Sequence, residues 1–205
     1  MVYLRGCLEQ LFKCSFEYVN FYKSIFNPEM ISILFDNDKT IPHQFNIVEA
    51  TLFANNETFK NVLKFSQSHL SISESLTIDL KNVDITEQHT NILFIILTNK
   101  GNKLPEICLK SLKLTNLYNL IIEYITTSKN CSKIVPAINL KFSNCTSFEL
   151  SKKAEKVEIT YKKYYYEKYT KYQIGNIYNP RVRFAFYIEE CDDGPINIII
   201  RKMKE

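Results

Sequence analysis

The sequence predicts an α/β fold of repeat-like, alternating strand–helix units with a largely parallel sheet, closed by a C-terminal β-hairpin. Three observations carry that expectation. "ESLTIDLKNVDI", "KSLKLTNLYNL" and "AINLKFSNCTSF" share an apolar-x-apolar-x-Asn core at Ile78-x-Leu80-x-Asn82, Leu112-x-Leu114-x-Asn116 and Leu140-x-Phe142-x-Asn144. Their spacings of 34 and 28 residues leave room for one helix between successive strands. After about residue 150 the pattern changes to alternating strands.

The elements follow in order. Phe16–Tyr22 reads as a first strand. "FNPEMISILF" starts a helix, with Asn27 as cap, Pro28 at the first helical position and Glu29 in the first turn. A strand at Phe45–Phe53 precedes "ANNETFKNVLKFSQSHL", an amphipathic helix turning Phe59, Val62, Leu63 and Leu70 inward. The first of the three shared segments follows, its alternation placing Ile78 and Leu80 on one buried face. An Asn at the end of such a strand can bond the turning backbone, as in leucine-rich repeats. "ITEQHTNILFIILTNKGNK" is a helix with Thr86 as N-cap, Ile92, Leu93, Ile95 and Ile96 as its apolar residues, and Gly101 as its stop. "NLYNLIIEYITTSK" is another, with Leu117, Leu120, Ile121, Tyr124 and Ile125 at helical spacing. Strands repeating this way require crossovers of one hand and put helices along one side of a parallel sheet. "KVEIT", "RVRFAFYIEE" and "INIIIRK" are three further strands, the last two a hairpin turning at Asp193-Gly194-Pro195 that caps the apolar end of the stack. The whole chain, 1–205, is one domain: strand–helix units over 1–150, then a Tyr/Lys-rich segment and capping strands over 151–205.

Charge is concentrated in that last part. The net charge is +4, and Lys152 to Lys171 holds seven lysines against three glutamates, leaving nineteen bases and nineteen acids elsewhere. Within it, "TYKKYYYEKYTKYQIGNIY" packs seven tyrosines and four lysines into nineteen residues. On a helix Tyr161, Tyr165, Tyr169 and Tyr172 would share a face, whereas on a strand Tyr164 and Tyr166 would oppose Tyr165. Either way some rings pack inward and others outward. Three uses remain open: tyrosines covering a sheet end with lysines solvating the rim, a partner surface, or a stacking track for single-stranded nucleic acid. The candidate partner-binding residues are Lys162, Lys163, Tyr164, Tyr166, Lys168 and Tyr169.

Little else points to chemistry. His43, His69 and His89 stand in no catalytic or ligand motif, and no Gly-rich phosphate loop, H-E-x-x-H or G-x-S-x-G occurs. "EECDD" and "FDNDKT" have carboxylates but lack the spacing of a calcium loop. The six cysteines form no C-x-x-C pair and read as free structural thiols, several of them buried, as in "EICLKSL" and "FSNCTSF". No cofactor or metal is expected. "MVYLRGCLEQLFKCSFEY" has no apolar signal core, and no apolar run approaches the ~18 residues of a membrane span. The expectation is an intracellular chain, cytoplasmic or nuclear, that is not an enzyme.

"FNPEMISILFDNDKTIP", "NILFIILTNKGNKLPEICLKSLKL", "IIEYITTSKNCSKIVP" and "CDDGPINIIIRKMK" together resemble a large, divergent family of F-box-containing proteins of root-knot nematodes, from about Leu11 to the end. In that family an N-terminal F-box binds the Skp-type adaptor of a cullin–RING ubiquitin ligase, and the region after it presents substrates. The resemblance implies the substrate-recognition region of such a ligase adaptor. No "LP-x-E-x-x-x-x-I" opening is present and "MVYLRGCLEQLF" is too short for the bundle, so no F-box residue carries over. Sequence therefore points to a non-enzymatic protein-interaction module. The alternatives are single-stranded nucleic-acid binding through Tyr161–Tyr172 and an enzyme of unknown class with a spatially assembled site.

Overall fold

Nine strands hydrogen-bond into one sheet in a computed structural model that describes residues 2–22, 27–35, 43–99, 103–143, 149–162, 167–191 and 195–203. The first five strands are β1 (Ser15–Phe21), β2 (Phe45–Asn55), β3 (Leu70–Asn82), β4 (Glu106–Ser111) and β5 (Ala137–Phe142). They lie side by side in chain order and pair in parallel. The last four are β6 (Glu155–Lys162), β7 (Glu167–Gly175), β8 (Arg183–Cys191) and β9 (Ile196–Lys202), all antiparallel. β9 pairs antiparallel with β5, so the sheet reads β1-β2-β3-β4-β5-β9-β8-β7-β6.

This corrects the expectation of a largely parallel sheet: half of its pairings are antiparallel. The predicted hairpin does form, as β8 and β9, but it is not the cap. β9 continues the sheet from β5, and β6 is the far edge. The chain crosses from β5 to that edge and returns strand by strand, because each strand after β6 is joined by a connection short enough for an antiparallel neighbour.

Five helices are described: α1 (Val2–Lys13), α2 (Pro28–Leu34), α3 (Phe59–Ser68), α4 (Glu87–Asn99) and α5 (Thr115–Thr127). The four that link β1 to β5 are crossovers, and the fixed hand of such crossovers sends them to one side of the sheet. Two N-termini are set as the sequence predicts. Asn27 Oδ1 accepts from the Glu29 amide at 3.0 Å ahead of Pro28, and Thr86 Oγ1 accepts from the His89 amide at 3.3 Å. The predicted stop at Gly101 lies outside the described residues, as do Asn144, Cys145, most of "FDNDKT" and the turn residues Asp193 and Gly194. α1 is not anticipated by the sequence reading. It buries Leu8 and Phe12, four residues apart on one face, and its Arg5 Nε meets Glu9 Oε1 at 2.8 Å.

The core lies between helices and sheet. One row of paired residues crosses all nine strands on that side: Phe21, Leu52, Ile78, Leu109, Leu140, Ile198, Ile188, Thr170 and Ile159. The first eight are buried, while Ile159 is 49% exposed where the helix layer ends. At the β1 end the layer is aromatic. Phe12, Phe21, Phe45 and Phe65 meet edge to face with centroids 4.8–6.2 Å apart, and each buried ring is worth about 3–5 kcal/mol against alanine.

Several face assignments are corrected. The strand around Leu112-x-Leu114-x-Asn116 is in fact β4, earlier by several residues: Ile107 and Leu109 face the helices with Ser111 after them. Leu112 is 46% exposed, Leu114 precedes α5 and Asn116 lies in it. Ile95 is 56% exposed on α4, and Leu70 belongs to β3 although it is buried as expected. On α5, Leu117, Ile121 and Ile125 are buried while Leu120 and Tyr124 are half-buried.

Candidate interaction face

Strand pleating sends alternate side chains to the face of the sheet opposite the helices. Among the described residues, no helix or strand lies over that face. A row on it crosses all nine strands: Asn20, Thr51, Thr77, Cys108, Asn139, Ile199, Tyr187, Lys171 and Glu158. The next row runs Phe53, Asp79, Lys110, Lys141, Asn197, Glu189, Tyr169 and Thr160. At ~4.8 Å per strand the face is roughly 40 Å wide. An uncovered face is ordinary for the antiparallel half and unusual for the parallel half, which generally has both faces covered.

The two halves differ chemically. Over β3–β5 the rows are small, polar or charged, and Lys110 and Lys141 sit directly side by side, while Phe53 on β2 meets Tyr22 edge to face at 5.1 Å. Cys108 lies in the neighbouring row, two residues before Lys110 on the same strand, and is 7% exposed. Burial pushes its thiol up, with the two lysines pulling the other way. Over β6–β9 the face is more aromatic and forms a half-enclosed groove of about 350 Å³. Tyr169 and Tyr187 stand on adjacent strands, diagonal to one another, with Ile199 and Asn197 on one side and Glu158 and Thr160 on the other. The Tyr169 hydroxyl sits 2.6 Å from Glu167 Oε2 and 2.9 Å from Glu189 Oε1. One proton faces two carboxylates, and these bonds hold the phenol well above its usual range.

The sequence-predicted partner residues do not form one surface. Lys168 and Tyr169 point to opposite faces of β7. Lys168 Nζ lies on the helix side, 2.6 Å from Glu190 Oε2. Lys162 ends β6 opposite Glu167, and Lys163, Tyr164 and Tyr166 lie outside the described residues. Tyr172 turns fully inward, stacks on Phe186 at 4.7 Å and shares a short hydrogen bond with Tyr118 on α5. Lys171 Nζ is 3.7 Å from Glu158 Oε2. Lys168 and Lys171 thus each stand beside an acid.

Sequence reasoning missed Tyr187 and Asn197 and weighed Glu189 only within the carboxylates of "EECDD". They reach Tyr169 only through antiparallel register, across eighteen or more residues of chain, and no local motif marks them. Of the histidines, His69 donates from Nδ1 to the His43 carbonyl at 2.9 Å, and His89 packs on the Phe59 ring at 4.3 Å. No group of three or more His, Cys, Asp and Glu that could hold a metal occurs among the described residues. Among the described residues, no helix is long and apolar enough to cross a membrane.

Residues 1–81, from the start of α1 to the next-to-last residue of β3, match a family model described as a domain of unknown function (DUF8381). No curated protein matches the chain, and no solved structure does.

Proposed function

We propose that the chain is a non-enzymatic protein-interaction module that holds a partner against the open face of its sheet. The observation that carries the reading is the one-sided layering: the described helices gather on one face, and the other is left broad and half-polar. Rows of Thr, Asn, Lys and Tyr supply hydrogen-bond partners and stiff contact area of the kind interfaces use. The strand–helix alternation of the first five strands is the repeat-like part of the reading. The resemblance to F-box proteins extends it to the substrate-recognition region of a ubiquitin-ligase adaptor, acting inside the cell. The paired bases Lys168 and Lys171 favour a protein over single-stranded nucleic acid, which needs uncompensated positive charge along a stacking track.

The test inserts charge into each side of the molecule. Thr77→Arg with Asn139→Arg alters the open face, and Ile95→Arg alters the helical side where Ile95 is already exposed. Proteins captured by the wild-type chain should be lost with the first variant and kept with the second. Ubiquitin-ligase subunits among them would support the adaptor reading. Capture that vanishes on nuclease treatment, or that survives the open-face variant unchanged, would overturn the proposal.

A further inference from the structure

The groove over β6–β9 has a specific chemical bias, and we infer that it is a receptor for an arginine side chain presented by a partner protein. This rests on the open-face reading and names what that face recognises at one end. Three features converge. The rings of Tyr169 and Tyr187 offer two aromatic surfaces at diagonal positions on adjacent strands, a spacing of about 7–8 Å. Glu189 has no cationic partner among the described residues and shares the Tyr169 hydroxyl with Glu167, so two carboxylates converge on one phenolic proton. Asn197 Oδ1, one pair along the sheet from Glu189, is buried with no hydrogen-bond partner.

Each feature offers something to a cation rich in donors. Glu189 accepts charge-assisted hydrogen bonds, the orphaned amide oxygen of Asn197 accepts another, and the tyrosine faces attract positive charge. A guanidinium is planar, carries five donors in a fixed fork and stacks on aromatic rings, which an ammonium does not. It can lie against a tyrosine ring while its N–H groups reach Glu189 and Asn197. The volume of about 350 Å³ is at the small end for a ligand site and suits one side chain better than a cofactor. Lys171 borders the groove 3.7 Å from Glu158, and Lys141 lies beyond Asn197 in the same row; neither makes an ion pair with Glu189.

The experiment uses the full chain with hexa-arginine and hexa-lysine peptides, followed by calorimetry in about 0.1 M salt, where charges more than roughly 10 Å apart are screened. The arginine peptide should bind about tenfold more tightly than the lysine peptide, the difference expected from stacking and forked bonding. Tyr187→Ala, a change at a ring 42% exposed, and Glu189→Gln, which keeps an acceptor for Tyr169, should each weaken the arginine peptide about tenfold. Unchanged thermal melting shows that both variants stay folded. Equal affinity for the two peptides, no measurable binding of either, or indifference to both variants would overturn the inference. Partner capture that is lost with Thr77→Arg and Asn139→Arg but untouched by Tyr187→Ala and Glu189→Gln would also overturn it, while leaving the open-face reading standing.

Discussion

Tyr118 and Tyr172 bond to each other through their hydroxyls in a site otherwise apolar, 54 residues apart in sequence. Both are buried, and Phe186 stacks on Tyr172 and meets Tyr118 edge-on. A buried hydroxyl left without a partner costs about 1–3 kcal/mol, whereas removing both groups of a pair is far less harmful. Tyr118→Phe, which leaves the Tyr172 hydroxyl without its partner, should therefore destabilise by about 1–3 kcal/mol, Tyr172→Phe should also destabilise, and the double variant should be no less stable than the worse single. Urea unfolding of the four chains gives the cycle; strictly additive losses would show that the hydroxyls act independently. The same burial pushes the Tyr118 phenol up to about 12, and Tyr172 shifts the same way. A group whose folded pKa is raised contributes stability present below its unfolded value, about 10, and lost as pH rises through the folded value. Stability should accordingly fall between about pH 10 and 12, by about 2–3 kcal/mol from Tyr118 alone, and Tyr118→Phe should flatten the fall.

Asn176, just after β7, ties the antiparallel strands to the last crossover helix. Its Nδ2 donates to the Ile125 carbonyl at 2.7 Å and the Ser128 carbonyl at 2.8 Å, near the C-terminus of α5. Its Oδ1 accepts from the Tyr178 and Asn179 amides, each at 2.9 Å. The side chain satisfies carbonyls that a helix end leaves open and sets the turn before β8. Asn176→Ala should cost about 2–4 kcal/mol, since one buried and three part-buried backbone groups lose their bond to this side chain, and denaturant midpoints read the loss. Asn176→Asp should be no better, because a carboxylate cannot donate to the carbonyls. Nothing in "QIGNIY" announces this role, which depends on where α5 ends. Elements that bury one face were legible by contrast. β3 and β5 alternate cleanly, and Ile78, Leu80, Leu140 and Phe142 are buried as expected. β4 was misplaced because Ile107, Cys108 and Leu109 are buried on both faces, which erases the period of two, while the alternating leucines just downstream imitate a strand. The Tyr/Lys stretch was ambiguous for a related reason. β7 pairs with strands on both sides and carries Tyr169 and Tyr172 to opposite faces, so its aromatic content marks neither face.

Over the whole molecule the sheet joins two differently built halves at a single seam, β5 against β9. Ala137 to Phe142 pair with Arg201 to Ile196, and Ile138, Leu140, Phe142, Ile196, Ile198 and Ile200 are all buried there. The seam was not readable from the sequence, because it pairs strands some sixty residues apart and the last strand of the chain inserts beside the fifth. It should also bind the halves into one cooperative structure, since exposing either strand would uncover both its backbone groups and an apolar row. The sequence provides two separate reporters of that cooperativity. All five described helices end by Thr127, so far-ultraviolet dichroism at helical wavelengths follows the N-terminal half. There is no tryptophan, and eight of the thirteen tyrosines lie at Tyr161 or beyond, so intrinsic fluorescence weights the C-terminal half. Denaturant curves from the two signals should coincide within error, with one midpoint and one slope. A fluorescence midpoint well below the dichroism midpoint would mean that β6–β9 unfold on their own from a surviving parallel half. Replacing Ile198, whose side chain lies in the row between Leu140 and Ile188, with Asp should lower both midpoints together if the seam couples the halves, and only the fluorescence midpoint if it does not.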